Sequence, residues 1–456
     1  MWTTRLLSKR TVRASALSTA TVATAAASAP SAPTTPFSDN SRASIAAVSE
    51  LADCLDFMFE KINYEDEPGD LLQLHLGRLS EEAAKYGNSR FIASDGQDWS
   101  CDSDTAHLVY AACQCSCLVY GPLAKSDPDL VPVISRAPSV TGTTKAVSIW
   151  TLPSRKALIV SVRGTASATD HMVNMNADAV DAGSVLGLSS SLNAHKGFLH
   201  CAQALLPYLK QQIERQLELN PDMEQVIFTG HSAGGSVSSL IFLHFAHDTR
   251  SKALLSRQTL SLATFGAAPA VAQNVTDVTK ALPNVGWMLS FVNEFDMVPR
   301  ADQPYIRSII DLYRARYGLP CRSAMPGDGA FDATGKTVAL TAPHWTLPPP
   351  CYQLVGDIIL SRKTTRVPTA DDGASEMTAV SSRQMLFHKV CPDDFYDLVF
   401  CDIGVHKRRT YLERVEHLYK GRSLDAEASS DSDTLYTMGS RATTQVEGVN
   451  DALKVV

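Results

Sequence analysis

The stretch "VIFTGHSAGGSVSSLIFLHF", residues 226–245, decides the fold of this chain. Its first residues form a short apolar run, which is typical of a strand in a sheet that is covered on both faces. Its last ten residues have the composition of a helix, and Gly230, Ser232, Gly234 and Gly235 lie between the two parts. Small residues are required where a strand turns sharply into a helix. The stretch therefore predicts a strand, a tight turn at Ser232 and a helix.

Segments on both sides of this stretch continue the alternation of strand and helix. The predicted elements are two hairpin strands at 146–152 and 157–165, an amphipathic helix at 200–219, and strands at 260–266 and 287–293. Alternation of this kind is typical of a parallel sheet with helices on its faces. We therefore predict an α/β fold with a mostly parallel central sheet flanked by helices.

The remaining segments define the predicted domain organisation. Residues 41–420 are expected to form one domain, which begins with extra helices at about 43–85 and 104–120. Residues 121–145 are rich in Pro, Ser and Gly and are interpreted as a loop. The polar stretch 361–384 is interpreted as a flexible insertion, and residues 421–456 as a disordered tail.

The N-terminal segment 1–40 has the composition of a targeting or disordered segment. It carries four basic residues, many Ala, Ser and Thr, and no acidic residue before Asp39. Such a composition is typical of a mitochondrial transit peptide, and a disordered tail on a cytoplasmic protein is the alternative. A secretory signal is disfavoured, because Ser and Thr interrupt the apolar run it would need.

The bulk composition excludes several classes of protein. The 456 residues are 45% hydrophobic and 20% charged, and the formal net charge is −7. Without a long basic block the chain lacks the electrostatic footprint of a nucleic-acid-binding protein. The sequence contains no run of 18 apolar residues, so it predicts no transmembrane helix. The cluster Cys113, Cys115 and Cys117 lacks the second ligand pair usual at zinc sites, so we interpret these cysteines as packing residues.

The "GHSAG" pentapeptide carries the first candidate for chemistry. It has the pattern G-x-S-x-G, in which a serine on a strained strand-to-helix turn serves as a nucleophile. The helix that follows presents free N–H groups at its start, and the N–H of Ala233 would face a developing oxyanion. The alternative is a structural turn. A preceding apolar strand and a following helix favour a catalytic Ser232.

A nucleophilic serine needs a base, and the base needs a carboxylate that orients it. In α/β-hydrolases these residues follow the serine in the order acid, then histidine. The segment "LSFVNEFDMVPR" offers Glu294 and Asp296, and we prefer Asp296 because it stands just before the loop closed by Pro299.

Four histidines downstream are candidates for the base: His344, His388, His406 and His417. His406 lies between an apolar segment and a helix-like segment, where an imidazole can reach over a nucleophile. His417 falls within the predicted amphipathic helix, which favours a surface position. His406 is the preferred base, and His344 and His388 stay open as alternatives.

The sequence resembles the class 3 (fungal-type) lipase family over about residues 100–420. The resemblance is carried by "VSVRGTAS" (160–167), "AHKGFL" (194–199), "VIFTGHSAGG" (226–235), "FVNEFDMVPR" (291–300) and "DIGVHKRRTY" (402–411). It implies an α/β-hydrolase core with a triad of Ser232, Asp296 and His406. It also implies an oxyanion hole at Thr165 and Ala233, a lid at about 167–193, and no metal or organic cofactor.

The resemblance implies a serine hydrolase that cleaves carboxylic esters of acylglycerol lipids. A lipid ester substrate also implies transient contact with a membrane or lipid-droplet surface. The extra N-terminal helices make the chain more similar to the intracellular, diacylglycerol-lipase-like branch of the family. The alternatives are a phospholipase A1 acting on glycerophospholipids and, more remotely, a catalytically silent hydrolase fold that serves as a binding protein.

Overall fold

The computed structural model describes seven main ranges of the chain and a few residues near position 50. The ranges are residues 70–92, 96–139, 144–164, 178–188, 191–321, 343–366 and 382–421, with residues 46 and 49–51. The predicted targeting segment 1–40 and the predicted tail beyond Gly421 lie outside the described residues. Among the described residues no helix is long and apolar enough to cross a membrane.

Eleven strands and ten helices, numbered here in chain order, make up the described part of the fold. The strands are β1 (Gly96–Asp98), β2 (Val131–Arg136), β3 (Val147–Leu152), β4 (Ala157–Val162), β5 (Ala179–Asp181), β6 (Asn193–His195), β7 (Gln225–His231), β8 (Thr259–Phe265), β9 (Val285–Asn293), β10 (Asp357–Arg366) and β11 (Ser382–Val390). The helices are α1 (Asp70–Ala83), α2 (Ser103–Leu118), α3 (Gly183–Leu186), α4 (Lys196–Leu219), α5 (Ala233–His247), α6 (Thr249–Leu254), α7 (Thr276–Lys280), α8 (Gln303–Arg316), α9 (Pro392–Asp397) and α10 (Arg408–Lys420).

Nine of the strands form one central sheet in the order β1-β11-β10-β9-β8-β7-β4-β3-β2. Five strands that are adjacent in the sheet, β4, β7, β8, β9 and β10, run parallel to one another. The hairpin β2-β3 adds antiparallel strands at one edge, and β11 and β1 do so at the other. The predicted α/β-hydrolase fold with a mostly parallel central sheet is therefore confirmed.

Helices cover both faces of this sheet, which explains the continuous apolar run of β7. Along β7, Val226 and Phe228 pack with α4 and α5 in one hydrophobic cluster. Ile227, whose side chain points to the other face, packs with α2 and α10 in a second cluster. Successive side chains of a strand alternate between faces, so a strand that is covered on both faces must be apolar at every position.

Two predicted irregular segments contain strands. Within 121–145, residues 131–136 form the edge strand β2, which has a bulge near Pro132 and is largely exposed. An edge strand tolerates proline and polar residues because one side of its backbone needs no partner. This is why its composition resembled that of a loop.

The predicted flexible insertion at 361–384 is wrong at both of its ends. Residues 361–366 continue β10, and residues 382–384 begin β11, with which β10 pairs antiparallel. The polar side chains there belong to the exposed end of a hairpin, as at Lys363 and Gln384. Residues 367–381 lie outside the described part of the chain.

The extra N-terminal helices are confirmed where the structure describes them. α1 occupies the end of the region predicted at 43–85, and α2 matches the helix predicted at 104–120. α1 packs on α8, and its residues Leu76, Leu79 and Ala83 belong to a third hydrophobic cluster. The three clustered cysteines of α2 are buried, and burial raises the pKa of Cys113 and Cys115 well above the ordinary value for a thiol.

Candidate active site

Ser232 lies at the sharp turn between β7 and α5, at the carboxyl end of a central parallel strand. Its φ of 57° and ψ of −136° are unusual for a residue with a side chain, and such strain is typical of functional turns. The turn is held in place by the N–H of Ser232, which donates to the carbonyl of Phe265 at 3.0 Å. The predicted strand, turn and helix are therefore all present.

The glycines around Ser232 are required because a side chain at these positions would clash with neighbouring atoms. A Cβ at Gly230 would lie 2.5 Å from the carbonyl carbon of Gly234, and a Cβ at Gly234 would overlap the carbonyl oxygen of Val162. A Cβ at Gly235 would lie 2.8 Å from the Cβ of Ala267. The helix α5 can thus approach β4 and β8 closely only because these positions lack side chains.

Gly234→Ala should therefore destabilise the protein, by about 3 kcal/mol in the free energy of unfolding, because backbone atoms of β4 would have to shift. The matched control is Gly77→Ala in α1, where a Cβ meets no atom within 4 Å. That change should be neutral or stabilise by up to about 1 kcal/mol through helix propensity. Urea titration of the three proteins measures both values. An equal stability of the two variants would contradict this account of the turn.

The first residue of α5, Ala233, is the predicted oxyanion-hole donor. The first N–H groups of a helix have no acceptor within the helix, so the N–H of Ala233 is not used by α5 itself. The second predicted donor, Thr165, lies outside the described residues. Its predecessor Gly164 is next to the turn, since a Cβ there would lie 2.6 Å from the carbonyl oxygen of His231.

Asp296, which follows β9, is fully buried and accepts hydrogen bonds on both carboxylate oxygens. Oδ2 accepts from Nδ1 of His406 at 2.8 Å and from the hydroxyl of Tyr411 at 2.6 Å. Oδ1 accepts from the N–H of Val298 at 2.9 Å. A buried carboxylate is tolerated when donors of this kind surround it. A neutral imidazole that donates from Nδ1 presents Nε2 as an acceptor.

Glu294, the alternative acid, has a different partner. Its Oε1 lies 3.5 Å from Nε of Arg362 on β10, and burial raises its pKa against the opposing charge of Arg362. The intervening Phe295 has a φ of 76°, so the backbone between the two acids does not continue as a strand. This left-handed residue separates carboxylates that an extended chain would place on the same side.

His406 is fully buried in a short 3-10 turn and lies beside the turn of Ser232. Its ring centroid is 4.6 Å from that of His231, the residue before Ser232. A Cβ at Gly266 would lie 2.9 Å from Cε1 of His406, and Gly266 follows Phe265, the acceptor of the Ser232 N–H. The structure thus bonds His406 to Asp296 and places its ring beside His231 and Gly266, next to the turn that carries Ser232.

The other candidate histidines lie elsewhere. His388 is buried on β11, which β10, β9 and β8 separate from β7, and its Nδ1 is 3.1 Å from Oδ1 of Asp98. His344 is exposed and pairs with Asp397 at 2.9 Å. His417 lies in α10, as predicted. None of these three is the imidazole that bonds Asp296.

Sequence reasoning missed the supporting residues of the site. Nε2 of His231 donates to the carbonyl of His406 at 2.8 Å, and burial lowers the pKa of His231 well below its ordinary value, so this ring stays neutral. Burial and the charge of Asp296 raise the pKa of Tyr411, which therefore stays a hydroxyl donor. The sequence did hold a signal for each of them. Tyr411 follows His406 by five residues in "DIGVHKRRTY", and His231 directly precedes Ser232 in "GHSAG".

The predicted lid segment 167–193 is described only in part. Residues 178–188 and 191–193 contain β5, α3 and the start of β6. Leu186 and Leu192 are buried, and Val180, Val185 and Leu188 pack against the largest hydrophobic cluster. The apolar side chains of this part therefore pack against the core, and residues 167–177 and 189–190 of the predicted lid lie outside the described residues.

Residues 159–305, which hold the turn and Asp296, match the family model described as Lipase (class 3). Similar solved structures include a triacylglycerol lipase from Penicillium expansum, with 18% identity, 44% of this chain and 75% of that chain covered, and a TM-score of 0.37. A Rhizomucor miehei lipase propeptide complex is similar with 15% identity, coverage of 73% and 91%, and a TM-score of 0.40. A lipase from Rhizopus microsporus var. chinensis is similar with 22% identity, coverage of 47% and 74%, and a TM-score of 0.37.

The fold and the family match define the class of this protein: it is an α/β-hydrolase that acts on carboxylic esters. The match to residues 159–305 supports the class 3 lipase family and, with it, acylglycerol esters as the substrate class.

Proposed function

We propose that this protein hydrolyses acylglycerol esters with a triad of Ser232, His406 and Asp296. The observation that carries the proposal is the fully buried hydrogen bond of 2.8 Å between Nδ1 of His406 and Asp296, on an imidazole beside the turn of Ser232. A buried imidazole–carboxylate pair next to a serine on a strained turn is an arrangement that catalyses acyl transfer.

In the proposed mechanism, Nε2 of His406 accepts the proton of the Ser232 hydroxyl as its oxygen attacks the ester carbonyl. Asp296 keeps the proton on Nδ1 and stabilises the imidazolium that forms. The imidazolium then protonates the leaving alcohol. His406 next deprotonates a water molecule, which attacks the acyl-enzyme, and the imidazolium then returns the proton to the Ser232 oxygen as the fatty acid leaves.

The oxyanion of each tetrahedral intermediate is proposed to accept hydrogen bonds from Ala233 and Thr165. The N–H of Ala233 opens α5, a helix of 15 residues, so the positive end of the helix dipole adds to its effect. The Thr165 donor is proposed from the family resemblance.

The substrate class is proposed at the level of acylglycerols, with the diacylglycerol-lipase-like branch as the finer proposal. Phospholipase A1 activity uses the same residues on a glycerophospholipid and is the second candidate. Parallel assays with triacylglycerol, diacylglycerol and phosphatidylcholine distinguish them. Preference for phosphatidylcholine would favour the phospholipase.

Labelling with a fluorophosphonate probe tests the serine. The wild-type protein should be labelled, and Ser232→Ala should not. The matched control is Ser236→Ala, one turn along α5, where the hydroxyl donates to the carbonyl of Ala268 at 2.7 Å. This variant should be labelled like the wild type. Unlabelled wild-type protein would instead favour the catalytically silent fold, and equal labelling of Ser232→Ala would move the nucleophile elsewhere.

A further inference from the structure

The segment that leads to His406, residues 398–403, has little secondary structure of its own. Between the end of α9 at Asp397 and the 3-10 turn at Gly404, residues 398–403 form neither a helix nor a strand of the sheet. These six residues are nevertheless largely buried. Buried backbone groups need hydrogen-bond partners, which here must come from outside the segment.

A single side chain, Tyr305 of α8, satisfies both backbone groups of Phe400 in this segment. Its hydroxyl donates to the carbonyl of Phe400 at 2.6 Å and accepts from the N–H of Phe400 at 2.8 Å. Tyr305 is 2% exposed and Phe400 is fully buried. The hydroxyl thus takes the place of a neighbouring strand at this point of the chain.

The guanidinium of Arg300 holds the start of the same segment. Its Nη1 donates to the carbonyls of Phe395 and Leu398 at 2.8 and 2.7 Å. Arg300 also lies over the ring of Tyr305, at 4.6 Å from its centroid. These two side chains follow Asp296 closely in the chain, so the segment that carries the acid also holds the segment that carries the base.

Further contacts continue this attachment as far as His406. The N–H of Asp402 donates to the carbonyl of Phe295 at 2.9 Å. Nδ2 of Asn293 donates to the carbonyl of Val405 at 2.8 Å. The backbone that ends at His406 is therefore tied at several points to residues on both sides of Asp296.

We propose that Tyr305 is a positioning residue, whose hydroxyl sets the place of the His406 imidazole through the backbone of Phe400. The proposal rests on the proposed function of His406 as the base. Without the hydroxyl, two buried backbone groups lose their partner, and the segment shifts or loosens. A displacement of about 1 Å at a reacting group lowers the rate on the order of 100-fold.

The experiment compares Tyr305→Phe with Tyr313→Phe. Both tyrosines lie on α8 in the same hydrophobic cluster, and both are nearly or fully buried. The hydroxyl of Tyr313 bonds Nδ1 of His75 in α1 at 2.7 Å and the hydroxyl of Tyr317 at 3.2 Å, and neither partner belongs to the segment that leads to His406. The two changes remove the same atom from the same helix, so a loss of stability alone should affect activity equally.

We expect Tyr305→Phe to lower kcat about 10- to 100-fold with little change in KM, and to slow fluorophosphonate labelling of Ser232 by a similar factor. Tyr313→Phe should keep both values within about 3-fold of the wild type. Its hydroxyl bonds residues outside the segment that carries His406, so its loss should not change the stabilisation of the transition state. Rates are measured per folded molecule, at a temperature where both variants are folded.

Equal rates for the two variants, with an active wild type, would overturn the positioning role and leave the proposed function intact. An inactive, unlabelled wild type would instead overturn the proposed function itself. If Tyr305→Phe does not fold, Arg300→Lys replaces it, because lysine keeps a donor but lacks the fixed geometry of the guanidinium. The same loss of kcat is then expected, and unchanged kcat overturns the proposal.

Discussion

His406→Gln should lower kcat for ester hydrolysis by about 10⁵- to 10⁶-fold, the loss that follows when a serine nucleophile loses its base. Glutamine is close to histidine in size and can keep a hydrogen bond to Asp296, but it cannot accept the proton of Ser232. The measurement is the initial rate with a soluble short-chain ester, which avoids effects of the lipid interface on binding.

The matched control for this change is His388→Gln. His388 is as deeply buried as His406, at 1% against 0% exposure, and also faces a carboxylate, that of Asp98. Burial lowers the pKa of His388, so it is neutral, as a base would be. We expect His388→Gln to lower the free energy of unfolding and to leave kcat within about 3-fold of the wild type. The reason is that His388 contributes to the packing around it and not to the reaction. A larger loss of kcat at His388 than at His406 would reverse the assignment of the base.

Asp296→Asn should lower kcat by about 10⁴-fold while the fold is retained. Asparagine has the shape of aspartate, but its amide group favours the imidazole tautomer with the proton on Nε2, which cannot accept from Ser232. The buried site also loses the negative charge that stabilises the imidazolium. The N–H of Val298 donates to the other oxygen, Oδ1, at 2.9 Å, so the asparagine oxygen would be held there, its NH2 group would face Nδ1 of His406 and the geometry would largely be kept.

Glu294→Gln is the control, because Glu294 is buried two residues earlier and differs in its partner, Arg362. This variant should keep kcat within about 10-fold, since the lost charge stabilises Arg362 and not the imidazolium. Thermal unfolding shows whether each variant is folded, and the rate per folded molecule is compared. A drop at Glu294 that equals the drop at Asp296 would mean that net charge, and not the bond to His406, is responsible.

The local part of the site was predictable because its constraints act between neighbours in the chain. The turn at Ser232 needs small residues on both sides, and that requirement is visible as "GHSAGG". The apolar β7 and the helix α5 follow from period and composition in the same way. The edge strand β2 was not predicted, because an exposed strand can have the composition of a loop.

The choice between Glu294 and Asp296 shows where such local reasoning stops. Both are acidic residues just after β9, and the preference for Asp296 rested on the loop that follows. In the structure the positive φ of Phe295 directs them to different partners, Arg362 and His406. No pattern in the sequence predicts a left-handed phenylalanine, because the surrounding tertiary contacts stabilise it.

The strand, the tight turn at Ser232, the helix that follows and the parallel sheet thus follow from the sequence alone, because they depend on spacing and on local sterics. Only the tertiary structure decides which histidine meets the carboxylate. His406 is 110 residues after Asp296 along the chain, and residues 398–403, which lead to it, form neither a helix nor a strand of the sheet. Its place depends on Tyr305, Arg300 and Asn293, side chains that bond its backbone from other elements. Contacts between residues so far apart in the chain form only when the whole sheet has folded.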